Sequence, residues 1–220
     1  MSVNPDEFII TRKRKKYKFA RFSNYANCFE ADELNAEQVA AMSAKRAVTL
    51  EIGAGTGYFA VELARRYPDQ FFIATDVKAD RLQSGAKRAT DERIANIIFV
   101  RIHTAQITEL LPLHSIASLW LTFSDPYPRA AQAKHRLTHP TFLTIYAALL
   151  KPDGLLYQKT DNHALFDWSL EQLVKDKWLF TELTYDLHES LLPDDYKIMT
   201  TFESRFVAEG LPIYCLSAKR

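Results

Sequence analysis

The chain has 220 residues, 47% of them hydrophobic and 25% charged, enough apolar material for one sizeable core and within the ordinary range of globular proteins. A formal net charge of only +1 excludes polyanion binding through a globally basic surface and leaves that task to local clusters. Cys28 and Cys215 lie far apart with no CxxC or Cys/His spacing, so they supply no disulfide framework and are expected as packing residues in a reducing cytoplasm.

No apolar run approaches the roughly 20 residues that span a bilayer, and the opening MSVNPDEF lacks the charged-then-apolar order of a signal peptide. A cytoplasmic protein without membrane contact is expected. One α/β domain over residues 47–220 is expected behind an extension, residues 1–46, that carries a basic segment and a lead-in helix. Within the extension, Thr11 to Phe22 (TRKRKKYKFARF) concentrates bases and aromatics. It reads either as an RNA-contacting arm or as a solvated, partly disordered tail.

Ala47 to Ile52 is apolar and rich in β-formers, and Gly53 to Gly57 breaks it, so a strand and a turn are expected. Tyr58 to Tyr67 has apolar Phe59, Leu63 and Ala64 at helical spacing, and Pro68 follows where a helix should have stopped. The pattern then repeats: a strand over Phe71 to Ala74, a polar helix over Asp80 to Asp91, and strands at Ile97 to Ile102 and Leu119 to Phe123. A helix over Pro140 to Leu150, a turn at Lys151 to Gly154, a strand over Leu155 to Lys159 and a helix over His163 to Asp176 come next. Phe180 to Leu187 and Ile213 to Ser217 read as closing strands, as a hairpin added to the sheet. Short strands alternating with helices predict a doubly wound, mainly parallel α/β sheet with helices on both faces.

The turn Glu51-Ile52-Gly53-Ala54-Gly55-Thr56-Gly57 follows a strand and opens a helix, as a nucleotide-binding glycine loop must. Its pattern is GxGxG, and Tyr58 takes the place of the third glycine of a dinucleotide fingerprint. Glu51 would repel a pyrophosphate but accepts hydrogen bonds from an ammonium group, which favours S-adenosylmethionine over a nicotinamide dinucleotide. Asp76, about 20 residues past the loop, ends the second strand where an acid binds two ribose hydroxyls. A nicotinamide-dependent oxidoreductase is the rival reading. Farther on, Pro126 and Pro128 fix φ and remove backbone donors, so Ser124 to Pro128 forms a stiff loop that holds Asp125 past a strand end.

FSDPYPRAAQAKHRLTHPTFL (residues 123–143) resembles, without a gap, the signature of bacterial tRNA (guanine-N7)-methyltransferases, F-[PS]-D-P-W-P-K-x-x-H-x-K-R-R-L. QKTDNHALFDWSL (Gln158 to Leu170) is similar to that family's KTDN segment, DLHES (Asp186 to Ser190) to its DLHxS, IMTTFESRF (Ile198 to Phe206) to its TEYExKF, and GLPIY (Gly210 to Tyr214) to its G-x-PIY ending. The resemblance runs in order from about Ala47 to Leu216. It implies a Rossmann-like methyltransferase fold of about seven strands and methyl transfer from S-adenosylmethionine to N7 of the variable-loop guanine of tRNA.

Carried over by position, the resemblance implies Glu51, Gly53, Gly55, Asp76, His103, Thr104 and Asp125 as cofactor contacts, with Asp125 also the catalytic acid. It implies Arg129, Lys134, Arg136, Asp161, Thr200 and Glu203 as substrate contacts, tRNA as partner, no metal, and a monomer or homodimer. Several positions depart from the pattern: Tyr127 replaces Trp, Arg129 Lys, Gln132 His, His135 Arg, and Thr201 and Phe202 the Glu and Tyr of TEYE, while His103 stands where the family has an acid.

Guanine N7 carries a lone pair and no proton, so its attack on a sulfonium methyl needs positioning and no obligatory base. Asp125 would orient the purine and offset the positive charge growing on the ring. Arg129, Lys134, Arg136 and the RKRKKYK run would hold phosphates, or form a solvated face. His135 and His139 share i, i+4 spacing, but Pro140 ends any helix there and no third metal ligand is evident nearby. A noncatalytic RNA-binding homologue, motivated by His103 and the altered basic segment, is the second rival.

Overall fold

The computed structural model describes Asn4 and residues 13–220, with only the backbone described at residues 13–16 and 201. Thr11, Arg12 and the side chains of residues 13–16, half of the expected RNA-contacting arm, lie outside the described residues. The chain divides into two compact units, Met1–Pro112 and Leu113–Arg220.

The first unit runs α1 (Lys13–Asn24), β1 (Cys28–Glu30), α2 (Ala36–Ser43), β2 (Val48–Ile52), α3 (Tyr58–Arg66), β3 (Phe71–Asp76), α4 (Ala79–Asp91), β4 (Ile97–Arg101) and α5 (Ile107–Leu110). Its strands lie in the order β1-β4-β3-β2, all parallel. Every residue of β2 is buried, as are all of β3 and β4 except their last. Burial of successive residues means both faces are covered, which is why these strands read as unbroken apolar runs. On α4, Ala79, Leu82, Ala86 and Ala89 are buried at helical spacing. A Cβ at Gly85 would meet the Phe99 ring at 2.8 Å and run into the Thr56 carbonyl, so only glycine lets α4 lie against the glycine turn.

From Lys13 onward the basic segment is a helix and not a tail: Ala20 and Phe22 of α1 are buried, and α1 packs against α4. Three-residue β1 adds a strand that the sequence did not predict, which makes eight strands where about seven were expected. It is pinned to β4 by Phe99 N–H donating to the Asn27 carbonyl at 2.8 Å and by Arg101 Nη1 on Glu30 at 3.1 Å.

The second unit runs β5 (Ile116–Thr122), α6 (Pro140–Leu149), β6 (Leu150–Thr160), α7 (His163–Lys175), β7 (Leu179–Thr184), α8 (Thr201–Ala208) and β8 (Tyr214–Lys219), with strand order β5-β6-β8-β7. β5 and β6 are parallel; β8 is antiparallel to both its neighbours. The closing pair is therefore not a simple hairpin, because α8 intervenes in the chain and β8 enters between β6 and β7. The expected turn at Lys151 to Gly154 lies inside β6, where the register jumps from Ile116↔Leu150 to Ser118↔Leu155. A Cβ at Gly154 would meet the Ile116 carbonyl at 3.0 Å, a tight approach that favours glycine at this irregularity.

Caps set the helix starts: His139 Nδ1 accepts from Thr141 N–H at 3.3 Å, with Pro140 in the first turn of α6, and Asn162 Oδ1 accepts from Leu165 N–H at 2.8 Å to open α7. Among the described residues no helix is long and apolar enough to cross a membrane.

Candidate active site

In the first unit the glycine turn is built around two acids. Gly53, Gly55 and Gly57 all have positive φ, at 69°, 56° and 69°. A Cβ at Gly57 would meet Phe99 at 2.7 Å, whereas one at Gly55 would meet nothing within 4 Å. Gly57 is thus required by packing, and Gly55 leaves an open space over the backbone. Asp76 holds the turn: its Oδ2 accepts from Gly55 N–H at 2.9 Å and its Oδ1 from Lys78 N–H at 2.8 Å. Glu51 is 1% exposed, and its Oε2 accepts from Ala60 N–H in α3 at 3.2 Å.

His103 is exposed just past β4, and its Nδ1 accepts from Ala105 N–H at 3.3 Å, capping the short turn that includes Thr104. An acid in this place would cap in the same way, so the imidazole keeps the cap and changes the charge.

In the second unit the loop after β5 is fixed at both ends. Phe123 and Tyr127 are non-glycine residues at φ of 51° and 43°, a conformation that costs about 1–2 kcal/mol each and persists only where the surroundings impose it. Phe123 N–H donates to the Lys159 carbonyl of β6 at 2.9 Å, and its ring packs on buried Leu187, Ile213 and Cys215. At the other end Arg136 donates to the Pro126 carbonyl at 3.1 Å and to the Tyr127 carbonyl at 3.0 Å, while its guanidinium sits 4.6 Å from the Trp168 ring centre. Between these anchors Asp125 is exposed and has no hydrogen-bond or ion-pair partner among the described residues. Arg129 and Lys134 are likewise exposed. Arg136 is not: its donors go to the loop carbonyls, which is a clamp's role rather than that of a cation waiting for phosphate.

The remaining expected contacts separate into two kinds. Asp161, between β6 and α7, is half-buried, and burial holds its carboxyl above the usual carboxylate range. Glu203 is fully buried with Lys159: Lys159 Nζ meets Glu203 Oε2 at 2.7 Å and donates to the Tyr196 and Ile198 carbonyls at 3.0 and 2.6 Å. His188 Nε2 lies 3.0 Å from Glu203 Oε1. Thr200 Oγ1 accepts from Glu203 N–H and Glu203 Oε2 from Thr200 N–H, each at 3.1 Å, a reciprocal cap on α8. Three motifs far apart in the chain, KTDN, DLHES and TFES, thus meet in one buried network. Lys159 and His188 lie inside motifs singled out in the sequence, but the sequence alone assigns a role to neither. Among the described residues, no three His, Cys, Asp or Glu side chains gather as a metal-binding group.

Residues 45–216 match the family model described as "Putative methyltransferase". The tRNA (guanine-N(7)-)-methyltransferase of Brevibacillus brevis is 40% identical over 171 residues, 78% of this chain and 79% of its own. That of Listeria monocytogenes serotype 4b is 38% identical over 174 residues, again 78% and 79% of the two chains. Among solved structures, the 16S rRNA methyltransferase KamB superposes with a TM-score of 0.65 at 15% identity, covering 84% of this chain and 93% of its own. Geranyl diphosphate C-methyltransferase from Streptomyces coelicolor A3(2), solved with S-adenosyl-L-homocysteine, gives 0.53 at 14% identity, covering 83% and 74%. At such identities the structural likeness speaks to fold alone, and that fold is the Rossmann-like methyltransferase architecture that the family resemblance implied, with the mainly parallel sheet that the alternating strands and helices predicted. With the family model spanning most of the chain and relatives this similar along more than three-quarters of their length, the chain belongs to the bacterial tRNA (guanine-N7)-methyltransferase family.

Proposed function

We propose that the protein methylates N7 of the variable-loop guanine of tRNA, with S-adenosylmethionine as donor. The observation that supports this reading is Asp125: an exposed acid with no partner among the described residues, on a loop anchored at both ends, can meet a ligand at no expense to the fold.

The first unit suits the donor. The open space at Gly55 admits a ligand against the backbone, and the acids that flank the turn match an ammonium and a diol. Glu51 takes the amino-acid ammonium, Gly53 and Gly55 let the backbone pass close by, Asp76 takes the ribose hydroxyls, and His103 and Thr104 serve the adenosine end. When bound, the donor would supply a sulfonium methyl group, the N7–C bond forming as the S–C bond breaks to leave a thioether.

Asp125 orients the purine and offsets the positive charge that N7 gains. No base is needed, because N7 has no proton to lose. Arg129 and Lys134 hold phosphates near the loop, and Asp161 accepts hydrogen bonds from the substrate. Thr200 and Glu203 act on the substrate indirectly, through the segment they cap, since both oxygens of the Glu203 carboxylate are already taken by Lys159, His188 and the Thr200 N–H.

The test is methyl incorporation into an unmodified tRNA transcript, compared with the same transcript carrying 7-deazaguanosine, which has no N7. Incorporation is expected in the first and none in the second; equal labelling of both would overturn the assignment.

A further inference from the structure

Resting on the proposed function, the geometry points to a second base-binding site in the same unit: the exposed face of Tyr185, backed by His163 and Tyr214, takes a nucleobase near the target guanine by stacking. Four rings form the platform. Tyr185 stands edge-on to buried Phe166 at 5.4 Å and 83°, edge-on to Tyr214 at 5.9 Å and 80°, and beside His163 at 6.1 Å. Phe166 is stacked on Tyr214 at 5.4 Å, and His163 lies 5.2 Å from Tyr214. The inner rings fix Tyr185, yet 47% of it faces water. A preorganised aromatic with only two side-chain torsions and an open surface is what RNA readers offer to an unstacked base.

Its place in the fold ties it to the reaction. Thr160 of β6 pairs with Tyr214 of β8, and Thr184 of β7 pairs with Cys215, so Asp161, Tyr214 and Tyr185 follow one another along one sheet end. Thr122 of β5 pairs with Lys159, which puts Asp125 at that same end. Three strand spacings separate the β5 and β7 ends, roughly 14 Å. That is well beyond the ~3.4 Å repeat of a regular stacked strand. The gap is about four such steps, so a base next to the target guanine reaches Tyr185 only by splaying out of its stack.

Charge selects which part of the RNA comes here. Asp161, Asp167 and Asp186 each lie within a few residues of His163 or Tyr185 in the chain, and Asp167 Oδ2 lies 3.4 Å from His163 Nε2. An acidic surround repels phosphate and welcomes a neutral base with amino groups to donate. The exposed cations Arg129 and Lys134 instead lie on the segment after Asp125, so backbone and base go to different parts of the unit.

The experiment places 2-aminopurine at each variable-loop position flanking the target guanine, one transcript at a time, and follows its emission as protein is added with S-adenosylhomocysteine. One flanking position should be quenched by the wild-type protein and by Tyr185→Phe, but not by Tyr185→Ala or Tyr185→Leu. Both nonaromatic variants should bind tRNA about tenfold more weakly, with S-adenosylhomocysteine affinity unchanged. Tyr185→Leu keeps apolar bulk over Phe166, so a folding defect in the alanine variant does not decide the matter. Undiminished quenching in Tyr185→Leu, or no quenched flanking position in the wild type, overturns the inference. The readout needs no methyl transfer, so a protein that quenches but never methylates would refute the proposed function and leave the stacking site standing.

Discussion

Two corners of this molecule lead the chain out of a strand, and they are built from opposite materials. The corner after β2 uses three glycines at positive φ, and a side-chain carboxylate gathers its amides. The corner after β5 uses prolines, two strained non-glycine residues and an arginine that grips its carbonyls. Glycine removes side chains so that a ligand can approach the backbone. Proline and Arg136 stiffen the backbone so that one side chain, Asp125, is held out in solvent with no protein partner among the described residues. The first corner is a surface to be touched; the second is a pointer.

Lys159 tests how far the pointer depends on what lies beneath it, and carries the largest expected effect. Lys159→Met leaves the Glu203 carboxylate buried without its cation, and should cost about 3–5 kcal/mol in urea unfolding. Replacing both partners, as Lys159→Met with Glu203→Leu, should cost markedly less than the single change. If the single variant unfolds like the wild type, the network is not what secures α8 and the Phe123 end of the loop.

Asp125→Ala should lower single-turnover methyl transfer by about 10²–10³, with unchanged melting temperature, because an exposed loop side chain is lost and no packing. Arg136→Ala should lower transfer by a smaller factor and raise the loop's hydrogen-exchange rate, since the carbonyl clamp goes while the acid stays.

Within the glycine corner, two substitutions should diverge. Gly57→Ala meets Phe99 as well as an unfavourable φ and should cost about 1–3 kcal/mol of stability. Gly55→Ala meets open space, so its fold cost should be only about 1 kcal/mol while S-adenosylhomocysteine affinity falls. Equal losses of stability would erase the distinction drawn between the two positions.

The smallest effects are in titration. Burial raises the folded-state carboxyl of Asp161 above its unfolded value, so its contribution to stability is present at low pH and is lost as pH rises through a window just above the usual carboxylate range. Asp161→Asn should flatten the melting temperature across that window. Burial likewise pushes the Cys215 thiol up to about 12, and raises that of Cys28 as well, so neither should react with a thiol reagent at neutral pH until the protein unfolds.

The elements that sequence reasoning found are those whose pattern is long enough to have a period: β2 to β6 and α3, α4, α6 and α7 all lie where spacing put them. β1 has three residues, too few for any alternation, and is held by its neighbour β4. α8 was missed although its start bears a legible sign, Thr200 three residues before Glu203, the pattern of a capping box. The turn at Lys151 to Gly154 misled because Pro and Gly signal chain reversal, whereas here they serve an irregularity within a strand.

In the candidate site, local geometry was legible: the glycine turn is one short segment and Asp76 closes one strand. Lys159 was not, because a lysine in a polar stretch reads as solvated, and only tertiary structure brings Glu203, the Tyr196 carbonyl and the Ile198 carbonyl around it. Arg136 is similar, its charge being visible in the sequence and the loop carbonyls it grips not.

Where the methyl group goes decides the function. The protein, S-adenosylmethionine and unmodified tRNA transcripts are incubated, the RNA is reduced with borohydride and cleaved with aniline, and the break is located. Cleavage confined to the variable-loop guanine is the predicted result. Methyl groups recovered at another base, at a guanine atom other than N7, or on no RNA at all would contradict it.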